Sequence, residues 1–198
     1  MVLPVISYGD PVLRRKGEPV SVFDDNLKKL AEDMAETMRD DNGIGLAAQQ
    51  IGKALQLFVV DVRPHKGEEQ DFKLELDGKR VPAEVAMPLT IINAQIEALD
   101  DIECVYREGC LSFPGIFGEV VRCENIRVKF QDVAGAPHIL ECSGLLARCC
   151  QHENDHCQGI VFIDRMETRA RLRNAAKIKS LKRDTIAEIK RARAEKKS

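Results

Sequence analysis

The chain has 198 residues, 44% of them hydrophobic and 31% charged. That length suits one domain with a real hydrophobic core, and the composition is that of a soluble globular protein. No apolar run approaches the roughly 18 residues of a membrane span, and the net charge is only -2.

The N-terminal stretch "MVLPVISYGDPVLRR" has no basic region followed by an apolar core, so no secretory signal is expected. It is also not an Arg- and Ser-rich import leader. The first clear element is "DDNLKKLAEDMAETMRDDNG". Leu27, Leu30, Ala31, Met34 and Met38 fall on one helical stripe, Asp24 or Asp25 is placed to cap it, and Gly43 to end it. "LQLFVVDV", residues 55 to 62, reads as a buried strand. Residues 63 to 88 are polar and punctuated by Pro and Gly, which reads as a long loop with weak strands. "LTIINAQIEAL", "NIRVKFQDVAG" and "PHILECSG" read as strands, the last two joined at a turn near Gly135. "LLARCCQHENDHC" has helical spacing, with Leu145, Leu146, Cys149 and Cys150 on its apolar side. The last thirty residues form a long helix. Its narrow stripe of Ile178, Leu181, Thr185, Ile189 and Ala192 lies within a basic surface. The order of helix, mostly antiparallel strands, helix, helix indicates an α+β fold.

Charge is distributed unevenly. From Arg165 to Ser198 there are thirteen Lys and Arg against four acids, a balance of +9. The other 164 residues carry 17 bases and 28 acids, or -11. An acidic globule with a basic C-terminal arm is expected. The seven cysteines are odd in number and lack paired Cys-x-x-Cys spacing, which points to free thiols in a reducing compartment, the cytoplasm.

The stretch that carries chemistry is "QHENDH", residues 151 to 156. On a helix, side chains at i and i+4 nearly superimpose one turn apart. His152 and His156 then point at one ion, and Glu153 sits at the edge of that face. There it reaches a metal-bound water without ligating the metal, the arrangement that metal-assisted hydrolysis requires. The third ligand is not given by this stretch. No histidine follows His156, and Glu167, Glu188 and Glu195 sit in or near the basic arm. Upstream, Cys110 lies in "YREGCLSFPG", preceded by Glu108 and Gly109. A thiolate is a strong ligand for a borderline-soft ion.

"EGCLS" (108 to 112), "QHENDH" and "GIGLAAQQ" (43 to 50) together resemble the three signature motifs of peptide deformylases, in that family's order. "PVLRRKGEPV" (11 to 20) is similar to the family's N-terminal segment, so the resemblance runs from about Val2 to Met166. Cys157 departs from the Leu usual after the second His, and Gln49 occupies a variable place. The resemblance implies a catalytic domain over 1–166 and a basic helical extension over 167–198. It implies mostly antiparallel sheets packed around a central helix carrying His-Glu-x-x-His, plus the C-terminal helix.

The same resemblance implies one divalent ion held by Cys110, His152 and His156, with water in the open fourth position. That ion is Fe2+ physiologically, with Zn2+, Ni2+ or Co2+ as substitutes. The implied reaction removes the N-formyl group from the initiator methionine of a new chain and releases formate. Glu153 is the general acid and base, and Gln50 and the Leu111 backbone N–H are the oxyanion donors. Ile44, Gly45, Tyr106, Glu108, Gly109, Leu145 and Cys149 are the expected substrate-binding residues. Glu108 has an orienting role, and Asp155 pairs with Arg122. The expected partners are N-formylmethionyl nascent peptides and, through the basic helix, the ribosome; neither membrane nor DNA is expected. The rival readings are a metallopeptidase of the His-Glu-x-x-His type that cleaves internal peptide bonds, and a ribosome-binding module with a closed structural metal.

Overall fold

In the computed structural model of the chain, residues 1–64 and 70–195 are described. In chain order the elements are α1 (Asp25–Asp40), β1 (Gly45–Ala47), β2 (Leu57–Val60), β3 (Leu74–Leu76), β4 (Lys79–Arg80), α2 (Ala83–Ala86), β5 (Leu89–Ala98), β6 (Glu103–Gly109), β7 (Phe117–Cys123), β8 (Asn125–Gln131), β9 (Pro137–Ser143), α3 (Gly144–Cys157), α4 (Phe162–Arg165) and α5 (Thr168–Glu195). Seven strands form one antiparallel sheet in the order β1-β2-β5-β8-β9-β3-β4, and β6 and β7 pair as a separate hairpin.

The unbroken apolar run in β2 follows from burial on both faces of the large sheet. Successive strand side chains point to opposite sides. Phe58 and Val60 pack with Ile91, Val128, Leu140 and the Leu146, Ala147 and Cys150 side of α3. Leu57 and Val59 pack on the other side with Leu27, Met34 and Met38 of α1. A third cluster joins Leu13, Phe113, Ile116, Val120 and Phe162 to Ala170, Ile178 and Leu181 of α5. The central helix α3 therefore runs between the large sheet and the β6–β7 hairpin.

Most predicted elements are present, with informative differences. Asp24 caps α1 through a hydrogen bond from the Leu27 N–H, 2.9 Å. The left-handed residue that ends the turn is Asn42 (φ 54°), not Gly43. Asn tolerates that conformation because its short polar side chain bonds locally. In β5 the register shifts between Ile92 and Gln95, and Asn93 at the shift bonds both the N–H and the C=O of Val20. The turn near Gly135 is present, closed by a bond from its N–H to the Asp132 carbonyl.

The segment 63–88 contains β3, β4 and α2; residues 65–69 of that predicted loop lie outside the described residues, as do the last three of the predicted C-terminal helix. The β6–β7 hairpin was not among the predicted strands. Along α5, Ala170 and Thr185 are buried, whereas Ala192, expected on the stripe, is exposed. The lysines and arginines of α5 are all exposed. Among the described residues no helix is long and apolar enough to cross a membrane.

Candidate active site

Two elements bring the chemistry together. The loop after β6 carries Cys110 and is closed by a bond from the Phe113 N–H to the Cys110 carbonyl, 2.8 Å. Helix α3 carries His152, Glu153 and His156, all buried. One ligand atom each from Cys110, His152 and His156 lies within 4.8 Å of the others. The Cys110 Sγ is 3.3 Å from His156 Nε2, and the two imidazole centroids are 5.3 Å apart. The i, i+4 spacing of the histidines thus does what helix geometry dictates, and the loop supplies the sulfur from 42 residues upstream.

The polar surroundings fix His152. Its Nδ1 is 2.9 Å from Glu108 Oε2, which leaves Nε2 to face the sulfur. Arg122 donates to both oxygens of Glu108, at 2.7 and 3.0 Å, and to Asp155 Oδ2 at 2.8 Å. The ion pair expected between Asp155 and Arg122 is therefore present, and Glu108 shares the same guanidinium. Burial pushes the Glu108 pKa up, but the hydrogen bonds from His152 and Arg122 outweigh it and hold the carboxyl well below the usual carboxylate range.

A divalent cation fits this donor set. Burial disfavours a charge on His152, yet hydrogen bonds to Cys110 and Glu108 override it and raise its pKa well above the usual imidazole value. His156, buried and next to the positive His152 and Arg122, is pushed well below the ordinary imidazole value and is held in the neutral form that ligates. One thiol and two imidazoles are the donor chemistry of a borderline-soft ion.

Glu153 completes the centre. Its Oε2 is buried with no hydrogen-bond partner among the described residues. Burial is the largest influence on it and pushes its pKa up to about 7, against the lowering pull of His152 and Arg122. A carboxyl poised there exchanges protons near neutral pH. Gln50 is pinned beside it. Its Oε1 accepts from the Ala47 N–H at 2.8 Å, which turns the amide NH2 toward Cys110 Sγ and Ser112 Oγ, both at 3.4 Å.

A cleft of about 710 Å³ opens onto these groups. It is lined by Ile44, Gly45, Tyr106, Glu108, Gly109, Leu111, Leu145 and Cys149, along with Gln50, Cys110, His152 and Glu153. All the expected substrate-binding residues are therefore at one opening. Their depths differ: Cys149 is buried, whereas Ile44, Leu145 and Tyr106 are 43%, 42% and 66% exposed and form the rim. Leu145, on the apolar side of α3, lines the cleft as expected of a substrate-binding residue, while Leu146 and Cys150 of the same side are buried in the core. A Cβ at Gly45 would collide with Glu153 Oε1 and stand 2.7 Å from Cys149 Sγ, so only glycine lets this backbone reach the carboxylate.

Two polar residues at the site were missed. Ser112 is fully buried against Gln50. Arg148, one helical turn before His152, donates to Glu108 Oε1 at 2.7 Å. Its i, i+4 relation to a candidate ligand was the available signal.

A family model described as polypeptide deformylase matches residues 2–172. A curated peptide deformylase from Opitutus terrae is 50% identical over 192 residues, which is 96% of this chain and 98% of that protein. Among solved structures, peptide deformylase 1B of Arabidopsis thaliana in complex with an inhibitor superposes with a TM-score of 0.79 at 32% identity, covering 94% of this chain and 93% of that one. The peptide deformylase of Thermotoga maritima gives 0.69 at 39% identity, covering 84% and 99%. With a family model over most of the sequence, a half-identical curated relative and a converging Cys, His, His donor trio, two of whose members line the cleft, the chain belongs to the peptide deformylases.

Proposed function

We propose that the chain removes the formyl group from the N-terminal formyl-methionine of new polypeptides, in the cytoplasm, with Cys110, His152 and His156 holding one divalent ion. The ion is Fe2+ in the cell, and Zn2+, Ni2+ or Co2+ substitutes for it in preparations. The observation that carries this reading is the convergence of the three donor atoms beside buried Glu153, whose Oε2 has no hydrogen-bond partner among the described residues, at a cleft of about 710 Å³. Cleavage of internal peptide bonds is disfavoured, because a thiol and not a third His or Glu closes the donor set.

When bound, the ion supplies Lewis-acid charge that acidifies water and polarises the formyl carbonyl. The rest is done by side chains. Glu153 takes a proton from the attacking water as the new C–O bond forms, and returns it to the amide nitrogen as the C–N bond breaks. The products are formic acid and the free amine, which leave as formate and the protonated amine, so atoms and charge balance with one water consumed. The side-chain N–H of Gln50 and the backbone N–H of Leu111 donate to the developing oxyanion, and losing one such donor costs about 3 kcal/mol of barrier. Gly45 and Gly109 admit the substrate backbone. Ile44, Tyr106, Leu145 and Cys149 surround the methionine side chain, while Glu108 aims His152.

The test is formate release from formyl-Met-Ala-Ser. We expect turnover that a chelator abolishes and added divalent metal restores. Chelator-insensitive release, or none from any metal-loaded preparation, would overturn the proposal. Gly45→Ala is expected to lower kcat by about 10²-fold, because the new methyl must push the Glu153 carboxylate aside by on the order of 1 Å, a misplacement that costs about that much. Its melting temperature and a kinetic run on the same substrate check this.

We also propose that the basic extension from residue 167 docks on ribosomal RNA. Its exposed Lys and Arg are the electrostatic footprint for such contact. Ala170, Ile178 and Leu181 pack on the cluster behind the Cys110 loop, so truncation near residue 170 would uncover that cluster as well as remove charge. Charge reversal is the cleaner probe. Replacing exposed Lys190, Arg191 and Arg193 together by Glu is expected to cut ribosome co-sedimentation by about 10-fold or more at low salt, with formate release kept within about two-fold. Equal sedimentation would reject docking.

A further inference from the structure

The Glu108 carboxylate accepts more than Arg122 and His152 provide. Arg148, also buried, donates from Nη1 to Oε1 at 2.7 Å. The same guanidinium donates to the Val120 carbonyl at 3.1 Å and to the Cys104 carbonyl at 2.7 Å. It thereby ties α3 to both strands of the β6–β7 hairpin. Its Cζ lies 5.6 Å from the centre of the Tyr106 ring at the cleft rim.

A carboxylate offers about four lone-pair sites. At Glu108 all four are used: Oε1 accepts from Arg122 Nε and Arg148 Nη1, and Oε2 accepts from Arg122 Nη2 and His152 Nδ1. The spacing explains how one helix serves both oxygens. Arg148 and His152 are i and i+4 on α3, so they stand one above the other over the same carboxylate. Charge gives the second reason. Arg122 lies between two buried carboxylates, Glu108 and Asp155. Arg165 reaches Asp155 from the outside at 2.9 Å. Without Arg148, Glu108 would depend on the Arg122 guanidinium that it already shares with Asp155, and one lone pair of Oε1 would lose its donor, which loosens the carboxylate against His152.

We propose that Arg148 is a positioning residue: by occupying Oε1 of Glu108 it holds Oε2 on His152 Nδ1, and so fixes the ring of a proposed metal ligand that it does not touch. This rests on the metal reading given above. Outer partners of this kind set ring orientation and metal affinity.

The test is Zn2+ affinity, measured by competition with a chelating dye on folded full-length protein. Arg148→Met is expected to weaken Zn2+ binding about 10-fold, and Arg148→Lys, which keeps one donor but not the fork, by less. In a Glu108→Gln background, Arg148→Met is expected to cost less than about two-fold more, because its effect runs through that carboxylate. A helix–hairpin tie with no bearing on the ligand would leave affinity unchanged or act equally in both backgrounds, and either result overturns the proposal. If Arg148→Met does not fold, Arg148→Lys in the two backgrounds decides by the same criterion. Failure of the unsubstituted protein to bind Zn2+ would reject the metal site itself. Tight binding there with no Arg148 effect would reject the positioning role alone.

Discussion

Glu153→Gln is expected to lower kcat for formyl-Met-Ala-Ser by about 10²- to 10⁴-fold, the span that general acid–base catalysis contributes, with metal content unchanged. Gln keeps the size of the side chain and loses the ability to accept and return a proton. The carboxylate is not among the three converging donors, so its loss leaves the ion in place. The pH profile carries a second signature. Glu153 must be ionised to take a proton, so activity falls as pH drops through its pKa. Burial pushes that pKa up to about 7, and a bound cation beside it lowers the value. The acidic limb of kcat/KM therefore lies at or below about pH 7, and the residual activity of Glu153→Gln lacks it. A Gln variant with more than a tenth of normal kcat would remove Glu153 from the chemistry.

Cys110→Ser is expected to weaken metal binding by more than about 100-fold, beyond the upper end of what an outer partner costs, and to abolish turnover at ordinary metal concentrations. A hydroxyl occupies nearly the same space as the thiol but is not ionised near neutral pH and is a poor ligand for a borderline-soft ion. The folded state should survive, because Cys110 sits at the edge of its apolar cluster and not within it. Equilibrium dialysis against Zn2+ and thermal melting of the apo-protein check the two halves separately. Retained metal with lost activity would point to a peptidase-like site whose third ligand lies elsewhere.

The elements legible in the sequence were those whose period matches their packing. Met34 and Met38 of α1 and the doubly buried β2 have one dominant reason for their pattern, which is apolar contact. The β6–β7 hairpin has another. Its buried positions include Glu108 and Arg122, which face the site, and its exposed positions include Val105, Tyr106 and Phe117. That pattern inverts the usual alternation, so hydrophobicity alone conceals it. The same inversion hides Arg148, a guanidinium on the inner side of α3.

The two histidines and Glu153 could be read from local spacing because helix geometry makes i and i+4 neighbours. Cys110 could be read only as a candidate, from its small neighbours and thiolate chemistry, since nothing within a few residues of it says that β6 ends beside α3; the resemblance in "EGCLS" made it the third ligand. Ser112 shows the same limit. Its role depends on Gln50, 62 residues away.

The central claim is that the Cys110 thiolate and the two imidazoles hold one cation beside Glu153. X-ray absorption at the metal edge of the loaded protein tests it most directly. The expected spectrum has one sulfur and two imidazole nitrogens directly bound to the ion, with the sulfur signal absent in Cys110→Ser. A metal-loaded, active protein whose spectrum contains no sulfur ligand would contradict it.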